Sequence, residues 1–88
     1  VVTPPRRVEI SRRAQAFILS LPENLRQKIK AAMERIILGD FTGLDVKKLT
    51  GHPQDYRLRV GRVRILFTLD GDRLLVYRAA FRGEAYKA

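Results

Sequence analysis

The chain has 88 residues and a mass of 10.1 kDa, which fits one small domain and is too short for two independently packed cores. Its 45% hydrophobic and 31% charged residues, with 4 Pro and 6 Gly, describe a folding globular chain; the absence of Cys and the single His exclude a disulfide framework, a thiolate zinc site and a thiol nucleophile. With 18 Lys and Arg against 9 Asp and Glu, the formal charge of +9 points to an anionic partner, nucleic acid before an acidic membrane or protein, because each neutralised phosphate releases condensed counterions.

Residues 1–6 contain Thr3-Pro4-Pro5 and read as a flexible arm, since proline fixes φ and biases its predecessor away from helix. The segment lacks the apolar centre of a secretory signal, and no apolar run in the chain approaches the ~18 residues of a membrane span, so no membrane partner and a cytoplasmic location are expected. Residues 7–88 then form one domain. Arg7-Val8-Glu9-Ile10 alternates like a short strand, and Ser11 offers an oxygen to cap a helix. Ala14, Phe17, Ile18 and Leu21 follow at helical spacing up to Pro22. Leu25, Ile29, Ala32, Met33, Ile36 and Ile37 keep the same period in a second helix, predicted from about residue 22 or 23 to Leu38, with Gly39 after its end.

Residues 46–53 read as a connector with no clear period. Three short β-rich runs come next, 56–60, 63–69 and 74–80, separated by Gly61-Arg62 and Asp70-Gly71-Asp72. The order is β-α-α-β-β-β, an α+β domain whose two-helix hairpin covers one face of a small antiparallel sheet.

A two-residue turn at Gly61-Arg62 pairs Val60 with Val63, Arg59 with Arg64 and Leu58 with Ile65. Parity then sends Tyr56, Leu58, Val60, Val63, Ile65 and Phe67 to the helix side, and Arg57, Arg59 and Arg64 to the other. Like charges opposite one another across strands repel, so this face costs stability unless an anion binds there. A solvated surface is the competing reading, but the cations are 13 Arg against 5 Lys, and the guanidinium fork matches phosphate oxygens in a way an ammonium does not. For the second hairpin, a three-residue loop at 70–72 is preferred, because it turns Leu75, Tyr77 and Ala79 inward and sets Arg78 and Arg82 beside Arg64.

The run Lys47-Lys48-Leu49-Thr50-Gly51, the hairpin Tyr56-Arg57-Leu58-Arg59-Val60-Gly61-Arg62-Val63-Arg64-Ile65-Leu66-Phe67 and the terminal Arg82-Gly83-Glu84-Ala85-Tyr86 resemble the RelE toxins of the RelE/ParE superfamily. The likeness spans roughly residues 7 to 86. It implies the toxin of a toxin–antitoxin pair, a ribosome-dependent endoribonuclease that cuts messenger RNA in the A site with no metal or cofactor. The implied partners are a RelB-like antitoxin, the ribosome with its 16S rRNA, and mRNA. By motif, Arg57 and Arg59 match positions that help deprotonate the 2′-hydroxyl or grip phosphate, Arg64 the transition-state stabiliser, Arg82 the group assisting the leaving oxygen, and Tyr86 an aromatic that orients a base or sugar. Lys47, Lys48, Arg62, Arg78 and Lys87 are expected to add RNA contacts, and Arg64 and Arg82 to be exposed. Two departures stand out. Arg59 replaces a lysine that serves some members as general base, and a guanidinium with pKa above about 12 is a poor base. Phe81 stands where many relatives carry His, and the lone His52 lies in the connector, where it reads as an exposed loop residue. A gyrase-poisoning ParE-like protein and a non-catalytic RNA-binding module are the alternatives.

Overall fold

The computed structural model describes residues 7–51 and 53–82. The expected arm at 1–6, His52, Glu84, Tyr86 and Lys87 lie outside them. The elements run β1 (Arg7–Ile10), α1 (Arg12–Leu19), α2 (Glu23–Ile37), β2 (Asp45–Lys48), β3 (Asp55–Val60), β4 (Val63–Asp70) and β5 (Arg73–Phe81). They form an α+β domain, with the strands in the order β1-β5-β4-β3-β2. Two details differ from the expected sheet. Residues 45–48 are a strand, so 46–48 are not part of a connector, and β1 joins β5 in parallel, so the sheet is mixed.

Both helices start and stop for local reasons. Ser11 caps α1 by accepting the Ala14 N–H at 3.2 Å, while its own N–H donates to the Val76 carbonyl at 2.9 Å and ties the helix start to β5. Pro22 opens α2 as its cap residue, and Gly39 closes it at φ +80°, a left-handed conformation that glycine adopts without a Cβ penalty. Ile29, Ala32 and Ile36 make the buried stripe of α2. They meet Leu58, Val63, Ile65, Phe67, Leu74 and Val76, all fully buried in one cluster. Tyr56 stacks on Phe67 with centroids 5.6 Å apart, as its inward parity predicts.

The first hairpin has the expected register, with Val60 opposite Val63, Arg59 opposite Arg64 and Leu58 opposite Ile65. Gly61 takes φ +57° as the first residue of that turn. The second hairpin differs. Asp70 pairs with Arg73, so the turn is Gly71-Asp72, and Leu74 and Val76 point inward where Leu75 and Tyr77 were expected to. A bulge then intervenes: Phe67 pairs with Val76, but Leu66 pairs with Arg78, leaving Tyr77 as the extra residue. The slip reverses parity for the rest of β5. Ala79 therefore points inward and Arg78 outward, as expected, although the strand before the bulge runs in the opposite phase.

Edge strand β1 is exposed along its length and is held by polar contacts. Glu9 accepts from Arg73 Nη2 at 2.6 Å and from its Nε at 3.0 Å, and the Arg7 N–H donates to the Asp72 carbonyl.

Candidate nucleic-acid interface

The face turned away from the helices carries two register rows of cations. One reads Asp45, Arg59, Arg64, Ala80 across β2, β3, β4 and β5; the next reads Lys47, Arg57, Leu66, Arg78. Four guanidinium residues thus surround one leucine. Leu66 is only 5% exposed, and its row neighbours Arg57 and Arg78 are both half-buried with buried Nε atoms.

Arg64 is the main correction to the expected site. It is 3% exposed, not an exposed surface residue, and its Nη1 donates to the Gly61 carbonyl at 3.2 Å and the Val63 carbonyl at 3.3 Å. The hairpin turn therefore helps to fix the guanidinium. A positioned cation of this kind loses little freedom when an anion arrives.

Asp45 brings Arg57 and Arg59 together. Its Oδ1 accepts from Arg57 Nη2 at 2.9 Å, and its Oδ2 lies 3.7 Å from Arg59 Nη1. The Arg57 side chain is 14% exposed and that of Arg59 40%, so Arg57 is the inner and Arg59 the outer cation of the pair. Motif reading passed over Asp45 because residues 45–48 had no strand period. Val46 is the one apolar residue of that strand, pairing with Leu58.

The remaining predicted contacts divide. Lys47 lies in the Arg57 row, on the cationic face, whereas Lys48 pairs with Tyr56 and sets its Nζ 5.9 Å from that ring centre, on the helix side. Lys48 is thus separated from the arginine cluster by alternation along β2. Arg62 sits at the hairpin tip with its guanidinium 5.4 Å from the Phe81 ring centre. Arg82 is exposed as expected, and its N–H donates to the Arg62 carbonyl at 2.7 Å, which fixes it at the same end of the sheet as the Gly61-Arg62 turn. Tyr77, half-buried on the outer face, donates its hydroxyl to Asp55 Oδ2 at 3.4 Å.

A cleft of about 340 Å³ opens between α1 and β5, lined by Arg13, Ala14, Phe17 and residues 77–80. Arg78 belongs to both this cleft and the cationic face. Arg13 reaches this cleft from α1, which packs on β5. Among the described residues no three His, Asp or Glu side chains gather as a metal ion would require.

No protein-family model matches the chain. It is 34% identical over 80 residues to the toxin RelE3 of Methanocaldococcus jannaschii, an alignment covering 83% of this chain and 90% of that protein. Its fold superposes on a chain of the RelB–RelE antitoxin–toxin complex from Methanococcus jannaschii with a TM-score of 0.75 and 26% identity, covering 89% of this chain and 94% of the other. A chain of the archaeal RelE–RelB complex from Pyrococcus horikoshii OT3 gives a TM-score of 0.78 at 22% identity, covering 93% and 100%, a likeness of fold.

Proposed function

The chain belongs to the RelE toxin family, and from that premise we propose that it is the toxin half of a toxin–antitoxin pair, a ribosome-dependent endoribonuclease acting on messenger RNA in the A site. The observation that carries this reading is the gathering of Arg57, Arg59, Arg64 and Arg78 on two adjacent rows of one sheet face, with Arg82 at its end. Packed at this density, guanidinium groups repel one another, and a bound phosphate converts that cost into attraction.

In the proposed reaction the ribose 2′-oxygen attacks the adjacent phosphorus, the 5′-oxygen departs and a 2′,3′-cyclic phosphate forms. Negative charge grows on the non-bridging oxygens in the pentacoordinate transition state. Arg64, already oriented by the turn carbonyls, meets that charge without reorganising; Arg57 and Arg59 grip the phosphate, and Arg82 assists the leaving oxygen. The proposed role of Tyr86 is to orient a base or sugar by stacking. Lys47, Arg62, Arg78 and Lys87 extend the contact along the strand, and Lys48 reaches it only around the edge of β2. A guanidinium at position 59 does not act as a base at neutral pH, so the proton of the 2′-hydroxyl goes to another group of the assembled complex.

A RelB-like antitoxin is the proposed partner, supported by the solved complexes of the relatives. An acidic, amphipathic segment covering the cationic face would exclude RNA from it. Acting on ribosomes, the protein works in the cytoplasm.

The test is to map messenger RNA 5′ ends on translating ribosomes after adding the protein, beside a gyrase supercoiling assay. New ends in the A-site codon are expected, with supercoiling unaffected. Gyrase inhibition with intact messenger RNA would replace this reading by the ParE-like one; salt-sensitive RNA binding without cutting would leave a binding module.

A further inference from the structure

We propose that Asp45 is a built-in stand-in for a phosphate, holding Arg57 and Arg59 in place on the free protein and giving up that position when RNA binds. The proposal rests on the RNA reading of this face and adds a residue to which no role in it had been assigned.

The geometry carries it. β2 pairs with β3 so that Asp45 faces Arg59 directly, with Lys47 and Arg57 in the row beside them. The two carboxylate oxygens go to two different guanidiniums, Oδ1 to Arg57 at 2.9 Å and Oδ2 to Arg59 at 3.7 Å. Two oxygens of one anion bridging two arginines is also how the non-bridging oxygens of a phosphodiester would be received.

The carboxylate is placed so that it can leave. It sits on a four-residue edge strand, and its side chain is 43% exposed, as that of Arg59 is 40%. The Asp45–Arg59 pair, open to water on both sides, shifts an equilibrium by only about two- to fivefold, and in the Arg57 contact the Asp45 end is open as well. A phosphodiester strand reaches Lys47, Arg64 and Arg78 in the same two rows as well, and it releases counterions as it docks. A free monoanion gains much less. Asp45 therefore weakens capture of small anions more than capture of a strand that engages several cations together.

The test measures binding of a single-stranded, 2′-O-methylated RNA, which lacks the attacking hydroxyl, by fluorescence anisotropy across a sodium chloride series. Asp45→Asn is expected to bind about two- to fivefold more tightly than wild type, the reverse of what a positioning residue needed for binding would give. Its plot of log affinity against log salt should steepen by roughly 0.7, one additional phosphate neutralised on a single strand. Asp45→Glu should stay near wild type. Equal or weaker binding by Asp45→Asn with an unchanged slope overturns the proposal, and so does loss of the folded state in both Asp45→Asn and Asp45→Ser, since a displaceable carboxylate is not one the fold depends on. An Arg57→Ala/Arg59→Ala variant that binds as well as wild type would instead refute the arginine face as the RNA site.

Discussion

Replacing Arg64 separates its two contributions. Arg64→Ala removes the guanidinium and its buried stem together, so loss of activity in that variant does not distinguish chemistry from folding. Arg64→Met retains the stem. The hydrogen bonds lost include those to the Gly61 and Val63 carbonyls, at 3.2 and 3.3 Å, on the long side for charge-assisted bonds. Against them stands relief of the opposed Arg59 charge, about 0.2–1 kcal/mol. Met should therefore be the more stable of the two variants, each 1 kcal/mol between them being worth roughly 4–8 °C in Tm for a domain of this size. Ala additionally loses about three buried methylenes at about 0.8 kcal/mol each, a further ~2.4 kcal/mol. Both should lose a transition-state donor worth about 2.7–4 kcal/mol, a fall of roughly 10²–10³ in the cleavage rate. Single-turnover cleavage on ribosomes beside thermal melts reads both quantities. Wild-type cleavage by Arg64→Met refutes the assignment, and a rate loss that follows Tm through the pair makes Arg64 a purely structural residue.

Three further outcomes follow from the fold. Gly61→Ala puts a Cβ into ordinary contact with Leu25, 3.8 Å away, so its cost is the left-handed backbone alone, about 1–2 kcal/mol in urea unfolding; Gly61→Asn should cost less. Phe67→Ala, at the fully buried centre of the sheet, should cost about 3–5 kcal/mol in the same assay, and a change under about 1 kcal/mol would mean the core is not packed as described. The Asp40 carboxyl is held below its ordinary 3.8 chiefly by the Thr42 N–H at 3.0 Å and then by Arg35. Its ionised form is the one the fold favours, so its contribution is complete above that ordinary value and is lost as pH falls through the lowered one. The Tm gap between wild type and Asp40→Asn should hold steady at neutral pH and narrow below 3.8; a gap independent of pH refutes the linkage.

The first hairpin was legible because a single observation fixed it. Gly61-Arg62 sets the turn, the turn sets the register, and a period of two then decides the face of every side chain from Tyr56 to Phe67. Arg57, Arg59 and Arg64 could be placed together from sequence on that basis alone. Burial was not legible in the same way. Parity says which face Arg64 occupies, but not that it is buried there, because burial depends on what the rest of the fold lays over that position.

The second hairpin shows why parity has limits. A bulge adds one residue and reverses every face beyond it, and no residue near Tyr77 advertises one: the sequence has neither Gly nor Pro there. An unbulged strand would turn Leu75, Tyr77 and Ala79 inward together; here only Ala79 faces the core, Leu75 faces outward and Tyr77 is the bulged residue. Nature of the constraint explains the outcome: Leu74 and Val76 are needed against the core near the turn, and Ala79 is needed where α1 crosses, so one strand must serve two phases. The bulge reconciles them, and in doing so it delivers Arg78 to the row of Arg57 and Leu66. Asp45 was hidden for a complementary reason. A four-residue edge strand with one apolar side chain has no period to detect, and its place is set by pairing with β3, which becomes visible only once the sheet is assembled. Cations announced themselves through composition and alternation, whereas the carboxylate that holds two of them is placed by a contact between segments, and sequence spacing carries no signal for that.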